Sequence, residues 1–584
     1  MFFDMQAKVM VRRHARMQRS FGQRTMDPAT LDIAQLRRRY AGGAALTPEE
    51  WNCATAAVPW TTAPPPRILL DLHDLLLFIT AYPHSSADHA RATAGLARVA
   101  AQAAALATAR PRYADALVDS AVAGPPTHAL LSIDLCRWLC AVAPDTVELA
   151  GLEGEDDHVR NLLVALAHPI EREALEDARH EVLDRVAKVS GGRCLQWLVA
   201  AIDKRTDDAL LRHALWESCR PNIVVNDGHP QLTRTHARGL NDPIHCFPNG
   251  TRDLGDPRQA IAQPMGPAAA LNPAQRNTLL TAARGILVGH QRETDPVTHV
   301  DPRALAYHRM DHGIGVALMP LPPARRTAFD AYLGYVAFAN NVPVAYGGAW
   351  LFPGKTKVGI NVFPAFRGGP SSMLFAQILR CYAQRYGVGT FEAENYQLGH
   401  GNSDGIRSGA YWFYHRLGFR TQQPRLAAVA GEEAQRMRSE PGYRTPANVL
   451  RRLAAEPMLL TLHPETTAHF EPLDLSERVL EHLGRTATAD RLNATDRIVQ
   501  RVARRIGAGA AHRRWPAADR QGFAHLAPAV DLIPDLEEWS AAERRSLIAV
   551  MRAKGALTED RYLHLLRRHE RLLNAWSRLV ATEG

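Results

Sequence analysis

Val358-Gly-Ile-Asn-Val-Phe-Pro-Ala-Phe-Arg-Gly-Gly-Pro-Ser-Ser-Met373 decides how the chain is read. An apolar run ends at Phe363, Pro364 breaks it, Gly368 and Gly369 form a flexible turn, and Ser371 opens an amphipathic segment. The pattern predicts a short buried strand, a turn and a helix. It sets the N–H groups of a helix start where an anion can meet them, and glycines leave the backbone approachable. Two readings stay open at this point: a pyrophosphate cradle, or a tight turn that only joins strand to helix.

Working outward, a helix is expected from Asn272 to Gly289, with the asparagine as cap and Pro273 at its first position. Gly313 to Met319 reads as a strand. Tyr332–Ala339 and Val342–Trp350 flank Asn340-Asn341 and read as a hairpin. Lys357–Phe363 is a further strand, Ser371–Tyr386 a helix stopped by Gly387, Gly389–Glu394 a strand and Ile406–Leu417 a helix stopped by Gly418. Arg425–Ala430 is read as a closing strand. Glu392 and Glu394 alternate with Phe391 and Ala393, which places both carboxylates on one strand face. Two acids on one face of an interior strand point to a cleft or to paired cations such as Arg407.

From Asn272 to Ala430 this order resembles the GCN5-related N-acetyltransferase superfamily, a mixed α/β acyl-coenzyme A binding fold. The residues that carry the resemblance are the hairpin end Asn341-Val-Pro-Val-Ala-Tyr-Gly347, the turn Val362-Phe-Pro-Ala-Phe-Arg-Gly-Gly369, the acidic strand that follows, and Ala410-Tyr-Trp-Phe-Tyr-His-Arg-Leu-Gly-Phe419. The resemblance implies direct attack of an amine on the thioester of acetyl-coenzyme A. It implies a cradle of Val362, Phe363, Arg367, Gly368, Gly369, Ser371 and Ser372, and Tyr414 as the acid that protonates the leaving sulfur. Glu394, with Glu392 beside it, is the expected base, and a backbone N–H near Val362 the expected oxyanion donor. Read from the residues alone, Asn402 and Asp404, in the glycine-rich loop Gly399–Gly405, either cap an acceptor pocket or belong to an ordinary flexible turn. The family's turn carries a glycine where this chain has Pro370, which has no N–H to donate. A fold that binds without catalysing, acting on a protein partner through its flanks, is the rival reading.

The flanks resemble no family. Residues 1–225 read as an α-helical region, 226–270 as an irregular linker or cover, 271–430 as the acyltransferase-like domain, and 431–584 as a second α-helical region. The expected class is α/β, a mixed sheet with flanking helices between helical ends. The chain has 584 residues and a formal charge of +9, with only six lysines. Sixteen Lys/Arg against eight Asp/Glu fall between Leu271 and Arg425, so the middle is the basic part. It would suit an anionic ligand. No aromatic-interleaved basic run occurs, so nucleic acid is not the expected partner.

Seven scattered cysteines without a CxxC suit a reducing cytoplasm rather than a disulfide framework or zinc ribbon. No signal peptide and no membrane span are read, and the arginine-rich start reads equally as a disordered arm, a misplaced initiation site or a targeting peptide. His299, His308, Asp311 and His312 do not have the spacing of a helical metal motif, so no metal is expected. No nucleophile elbow, Walker motif or dinucleotide fingerprint occurs.

Overall fold

The computed structural model describes residues 32–52, 65–122, 124–177, 181–226, 229–251, 254–368, 370–463, 470–486 and 491–581. Gly369 and the first part of the arginine-rich start lie outside the described residues. Near the N-terminus, α1 (Ile33–Ala41) is capped by Asp32, whose carboxylate accepts the Gln35 N–H. Helix α2 (Pro66–Ala81) begins with proline at its first position and is buried continuously from Leu75 to Ala81. A helix apolar all round belongs inside a core. Residues of α1 and α2 share one hydrophobic core with the central sheet and the C-terminal helices.

The stretch to residue 225, expected to be helical, also contains a sheet. Strands β1 (Thr127–Leu130), β2 (Val147–Leu152) and β3 (Pro221–Val225) pair antiparallel in the order β1-β3-β2. They have four to six residues each. Such short runs carry little periodicity, and the partners are brought together only by the helices folded between them. This unit has its own core, around Cys136, Leu163, Leu198, Trp216 and Ile223. It is joined to the rest through Glu293, whose carboxylate accepts the Ser132 N–H at 2.8 Å and the Thr298 hydroxyl at 2.7 Å. Asp134 adds an ion pair to Arg325 at 2.6 Å.

The middle of the chain forms an eight-stranded mixed sheet. Helix α3 (Pro273–Gly289) starts at a capping box in which Asn272 and Gln275 bond each other's N–H. Short helix α4 (Asp295–His299) follows. Strands β4 (Ala306–Arg309), β5 (Ile314–Pro320), β6 (Ala331–Ala339), β7 (Val342–Phe352) and β8 (Lys355–Val362) then meander antiparallel. Asn340 and Asn341 both have positive φ, as a two-residue hairpin turn requires. Helix α5 (Ser371–Tyr386) ends at Gly387 in the left-handed region. Strand β9 (Thr390–Ala393) lies parallel to β8. The helix expected at Ile406–Leu417 is interrupted: α6 (Asn395–Leu398) and a turn of helix at Ser403–Ser408 precede α7 (Ala410–Arg416), with left-handed Gly409 at the break.

Arg425–Ala430 is not a strand. Pro424 opens a helix, Pro424–Ser439, because Leu426, Ala430 and Glu433 fall at helical spacing on its buried side. The sheet is completed by β10 (Arg420–Thr421) and β11 (Met458–Thr461). The full order is β10-β11-β9-β8-β7-β6-β5-β4, so the later strand sits inside and the earlier one at the edge.

The segment expected to be linker or cover is a cover. Gly239 N–H bonds the Asn341 carbonyl at the hairpin tip, and Ala269 N–H bonds the Tyr307 carbonyl. Helices from Pro472 to Ala581 pack against the central region as well, where Asp560 pairs with Arg385 of α5 at 2.7 Å. They dock on the β5–β6 connection through buried Lys554, which bonds Glu559 at 2.7 Å and the Asp330 carbonyl at 2.9 Å. Among the described residues no helix is long and apolar enough to cross a membrane.

Candidate functional site

Strands β8 and β9 pair only at Thr356–Phe391 and Lys357–Glu392. Beyond Lys357, β8 continues to Val362 while β9 ends at Ala393, so the two part. On its other edge β8 stays bonded to β7, and Phe363 N–H bonds the Val344 carbonyl at 3.0 Å. Strand groups alternate in direction, so the N–H groups of Ile360 and Val362 point away from β7 into the opening. An opening edged by strand N–H groups is where an acceptor oxygen can be held.

Tyr414, on α7, reaches into this opening. Its hydroxyl accepts the Ile360 N–H and lies 3.4 Å from Gln397 Oε1, to which it donates. The ring stands edge-on to Phe375 of α5, with centroids 5.7 Å apart. Tyr414 is 2% exposed. Burial pushes its phenol well above the ordinary value, and the Ile360 N–H offsets only part of this. Gln397, on α6, also covers Gly359: a Cβ there would meet Gln397 Nε2 at 2.9 Å.

The turn after β8 supplies the second part of the site. Pro364–Phe366 makes one tight helical turn, and the Arg367 side chain folds back so that Nε donates to the Val362 carbonyl at 3.2 Å. Gly368 has φ of +90° with nothing within 4 Å of a would-be Cβ. Pro370 stands at the cap, one residue before the first helical residue, Ser371. Its carbonyl accepts the Leu374 N–H, which starts the helix. Ser371 turns its hydroxyl back to the Gly368 carbonyl at 2.9 Å, and Ser372 is half-buried in the first turn. Phe363 offers the opening little: its N–H is bound to β7, and its ring is stacked on His290 at 4.2 Å and Tyr346 at 5.4 Å.

The acidic pair does share a face, yet neither carboxylate turns to Tyr414. Glu392, almost fully buried, pairs with Lys355 at 3.0 Å, and half-exposed Glu394 pairs with Lys357 at 3.4 Å. Glu471 bridges both lysines, at 2.6 and 3.2 Å. Burial opposes the charge on Lys355, but Glu471 and Glu392 outweigh it and hold the ammonium above its usual range. The cations are thus lysines of β8, while Arg407 pairs with Asp404 on the neighbouring loop. Asn402 caps Ser403–Ser408, its oxygen accepting the Gly405 N–H at 3.1 Å and its amide donating to the Tyr396 carbonyl at 3.2 Å. Asn402 and Asp404 therefore make local bonds within their loop.

The set-aside histidines go separate ways: His299 to Asp134, His308 to Arg385, and Asp311 to Arg380. Among the described residues no group of three or more His, Cys, Asp or Glu could hold a metal ion. Sequence reasoning missed Ile360, Gln397, Lys355, Lys357 and Glu471. The two lysines, alternating along β8 opposite two alternating acids, were the available signal. Comparison of the chain with protein-family models, curated proteins and solved structures returns no match.

Proposed function

We propose that the protein transfers an acyl group from acetyl-coenzyme A, or a longer acyl thioester, to an amine. The central sheet then has the acyltransferase-like form that the sequence resembles. The observation that carries this reading is the parting of β8 from β9 beside the Arg367–Ser372 turn, with the Ile360 and Val362 N–H groups and the Tyr414 hydroxyl in the gap. The pantetheine arm fits an extended opening edged by strand donors. The pyrophosphate fits the turn and the start of α5.

In this reading the amine first gives a proton to Glu394 through solvent, since that carboxylate is half-exposed. Its nitrogen attacks the carbonyl carbon while the Val362 N–H steadies the oxyanion. The C–S bond breaks, Tyr414 gives its proton to the sulfur, and the second proton shed by the attacking nitrogen passes through solvent to restore the phenol. A phenol raised by burial stays protonated at neutral pH, as an acid must. Tyr414 has to leave Gln397 to reach the sulfur.

A second reading is favoured by one specific observation. The Tyr414 hydroxyl already occupies the Ile360 N–H, and both candidate bases face lysines. A binding protein of the same fold needs no freer groups than these. Thermal denaturation with millimolar acetyl-coenzyme A tests ligand binding, because binding to the native state raises the midpoint. No rise removes the acyl-coenzyme A reading. A rise without turnover on any amine, together with unchanged behaviour of Glu394→Gln, favours the binding protein.

A further inference from the structure

Strands β6, β7 and β8 set three glycines side by side: Gly334 lies opposite Gly348, and Gly348 opposite Gly359. Residues two apart on a strand share a face, so Tyr332, Tyr346, Trp350 and Asn361 flank these glycines on that face. Pro296 of α4 covers Gly334 and Gln397 covers Gly359, where an added Cβ would meet them at 2.6 and 2.9 Å. Gly348, between them, lies under the edge of the Tyr332 ring, and a Cβ there would stand 3.1 Å from the Tyr332 hydroxyl. The ring is stacked on Trp350, with centroids 4.3 Å apart. Tyr346, Trp350 and Gln397 are partly open to water at the rim, while Gly348 and Gly359 are buried beneath them. The face is recessed there.

The polar groups around this recess lack partners. Tyr332 is 7% exposed, yet its hydroxyl bonds nothing among the described residues, and neither does the hydroxyl of Tyr346. A buried hydroxyl without a partner costs free energy that a ligand oxygen restores. Burial raises both phenols, so each keeps a proton to donate. Arg292 and Arg367 both act on the Tyr346 phenol. The Arg292 side chain bonds no described residue, and that of Arg367 bonds only the Val362 carbonyl among them. Asp295 acts on Tyr332 from the α4 side, so two guanidiniums stand against one carboxylate. Two hydroxyl donors beside uncompensated guanidinium suit a carboxylate, one phenol to each oxygen.

We propose that the recess over Gly348 binds the carboxylate of an amino-acid acceptor through the Tyr332 and Tyr346 hydroxyls and Arg292. The amine then lies one strand away over Gly359, about 4.8 Å off, at Gln397 and beside Tyr414. The fate of the amine rests on the acyltransferase reading; the carboxylate site does not.

The test is calorimetric titration of the full chain, without acetyl-coenzyme A, by amino acids and by the amines that lack their carboxylate. The pairs are β-alanine and ethylamine, leucine and isoamylamine, phenylalanine and phenethylamine, and lysine and cadaverine. At least one amino acid is expected to bind, and its amine roughly tenfold more weakly, the size of a charge-assisted hydrogen bond. Tyr332→Phe keeps the ring and its stack on Trp350. It should weaken that amino acid about tenfold and leave the ligand-free melting midpoint unchanged, because the lost hydroxyl held nothing. Arg292→Ala should weaken it as much. In turnover, both variants should raise KM for the amino acid and leave kcat and the KM for acetyl-coenzyme A unchanged. Binding of none of these amino acids, equal binding of each amine, or unchanged affinity in Tyr332→Phe overturns the proposal. Amino-acid binding of the expected pattern with no thermal shift by acetyl-coenzyme A upholds the carboxylate site and removes the acyltransferase reading.

Discussion

The two halves of β8 are built to opposite ends. In the first half, Lys355 and Lys357 are zipped to β9 and to the C-terminal region by Glu392, Glu394 and Glu471. In the second half, from Gly359 to Val362, β9 is gone, and Tyr414, Gln397 and the Arg367 side chain lie along that edge. The first half is a charge network with a cation for every buried carboxylate. The second is a gap held by one phenol, one amide and glycine-thin backbone. A ligand therefore enters at lower cost along the second half than along the first. Displacing a hydroxyl and an amide exchanges hydrogen bonds for hydrogen bonds, whereas opening the lysine zip leaves a buried carboxylate alone.

The largest expected effect comes from closing the gap from the β7 side. A Cβ on Gly347 would lie 2.3 Å from the Gly359 carbonyl oxygen and 2.6 Å from the Tyr335 hydroxyl that bonds it. Gly347→Ala should cost about 3 kcal/mol, because backbone must move. A urea midpoint equal to wild type would show that β8 yields there and that the gap is not held rigidly.

Tyr414→Phe comes next, and it acts on chemistry. Turnover at saturating acyl-coenzyme A should fall roughly a hundredfold, while the ligand-induced thermal shift stays. Retained turnover would leave Tyr414 as a packing residue only. Lys355→Met probes the other half. Glu392, 5% exposed, would lose its cation, at about 2 kcal/mol, since Lys355 is itself partly open to water. An unchanged urea midpoint would mean that Glu471 and water carry the network without it.

Gly359→Ala is milder than Gly347→Ala. The new methyl meets the mobile end of Gln397 at 2.9 Å, so Gln397 can swing aside for under about 1 kcal/mol. Ligand affinity should fall more than stability, and the reverse order would place the ligand elsewhere.

The smallest effect is acid sensitivity of the zip. Burial works against the Glu471 carboxylate, but Lys355 and Lys357 outweigh it and hold it below its ordinary value. A depressed carboxylate stabilises above its unfolded pKa and loses that contribution as pH falls through the folded one. The raised Lys355 and Lys357 contribute below their unfolded pKa and lose this as pH rises through the folded value. The zip is therefore complete between the two limits. Urea unfolding of Glu471→Gln against wild type should converge as pH drops below about 4.5. A constant difference at every pH would assign Glu471 to packing.

Much of the middle was legible because its signals are local. The Asn340-Asn341 turn, the Asn272-Pro273 cap, Gly387 and the Phe363–Ser371 break each act within a few residues, and each element stands where the sequence places it. Strands β1, β2, β3, β4 and β11 were not legible. They are short, and a four-residue strand exists only because a distant partner satisfies its backbone. Arg425–Ala430 is the instructive case. Its apolar residues fit a strand at close range, but Pro424 and the buried spacing of Leu426, Ala430 and Glu433 make a helix, which leaves the sheet to be completed by Met458–Thr461.

For the site, the turn, the shared face of Glu392 and Glu394, and a tyrosine on the closing helix are already written in the residue order. Backbone chemistry and strand alternation suffice for these. The fold then supplied Gln397 as the partner of the Tyr414 hydroxyl. It also decided that lysines of β8 meet the two acids, and that Arg37 of the first helix bonds the Arg367 carbonyl. Those choices depend on which distant surfaces pack together, and residue spacing along the chain carries no record of that.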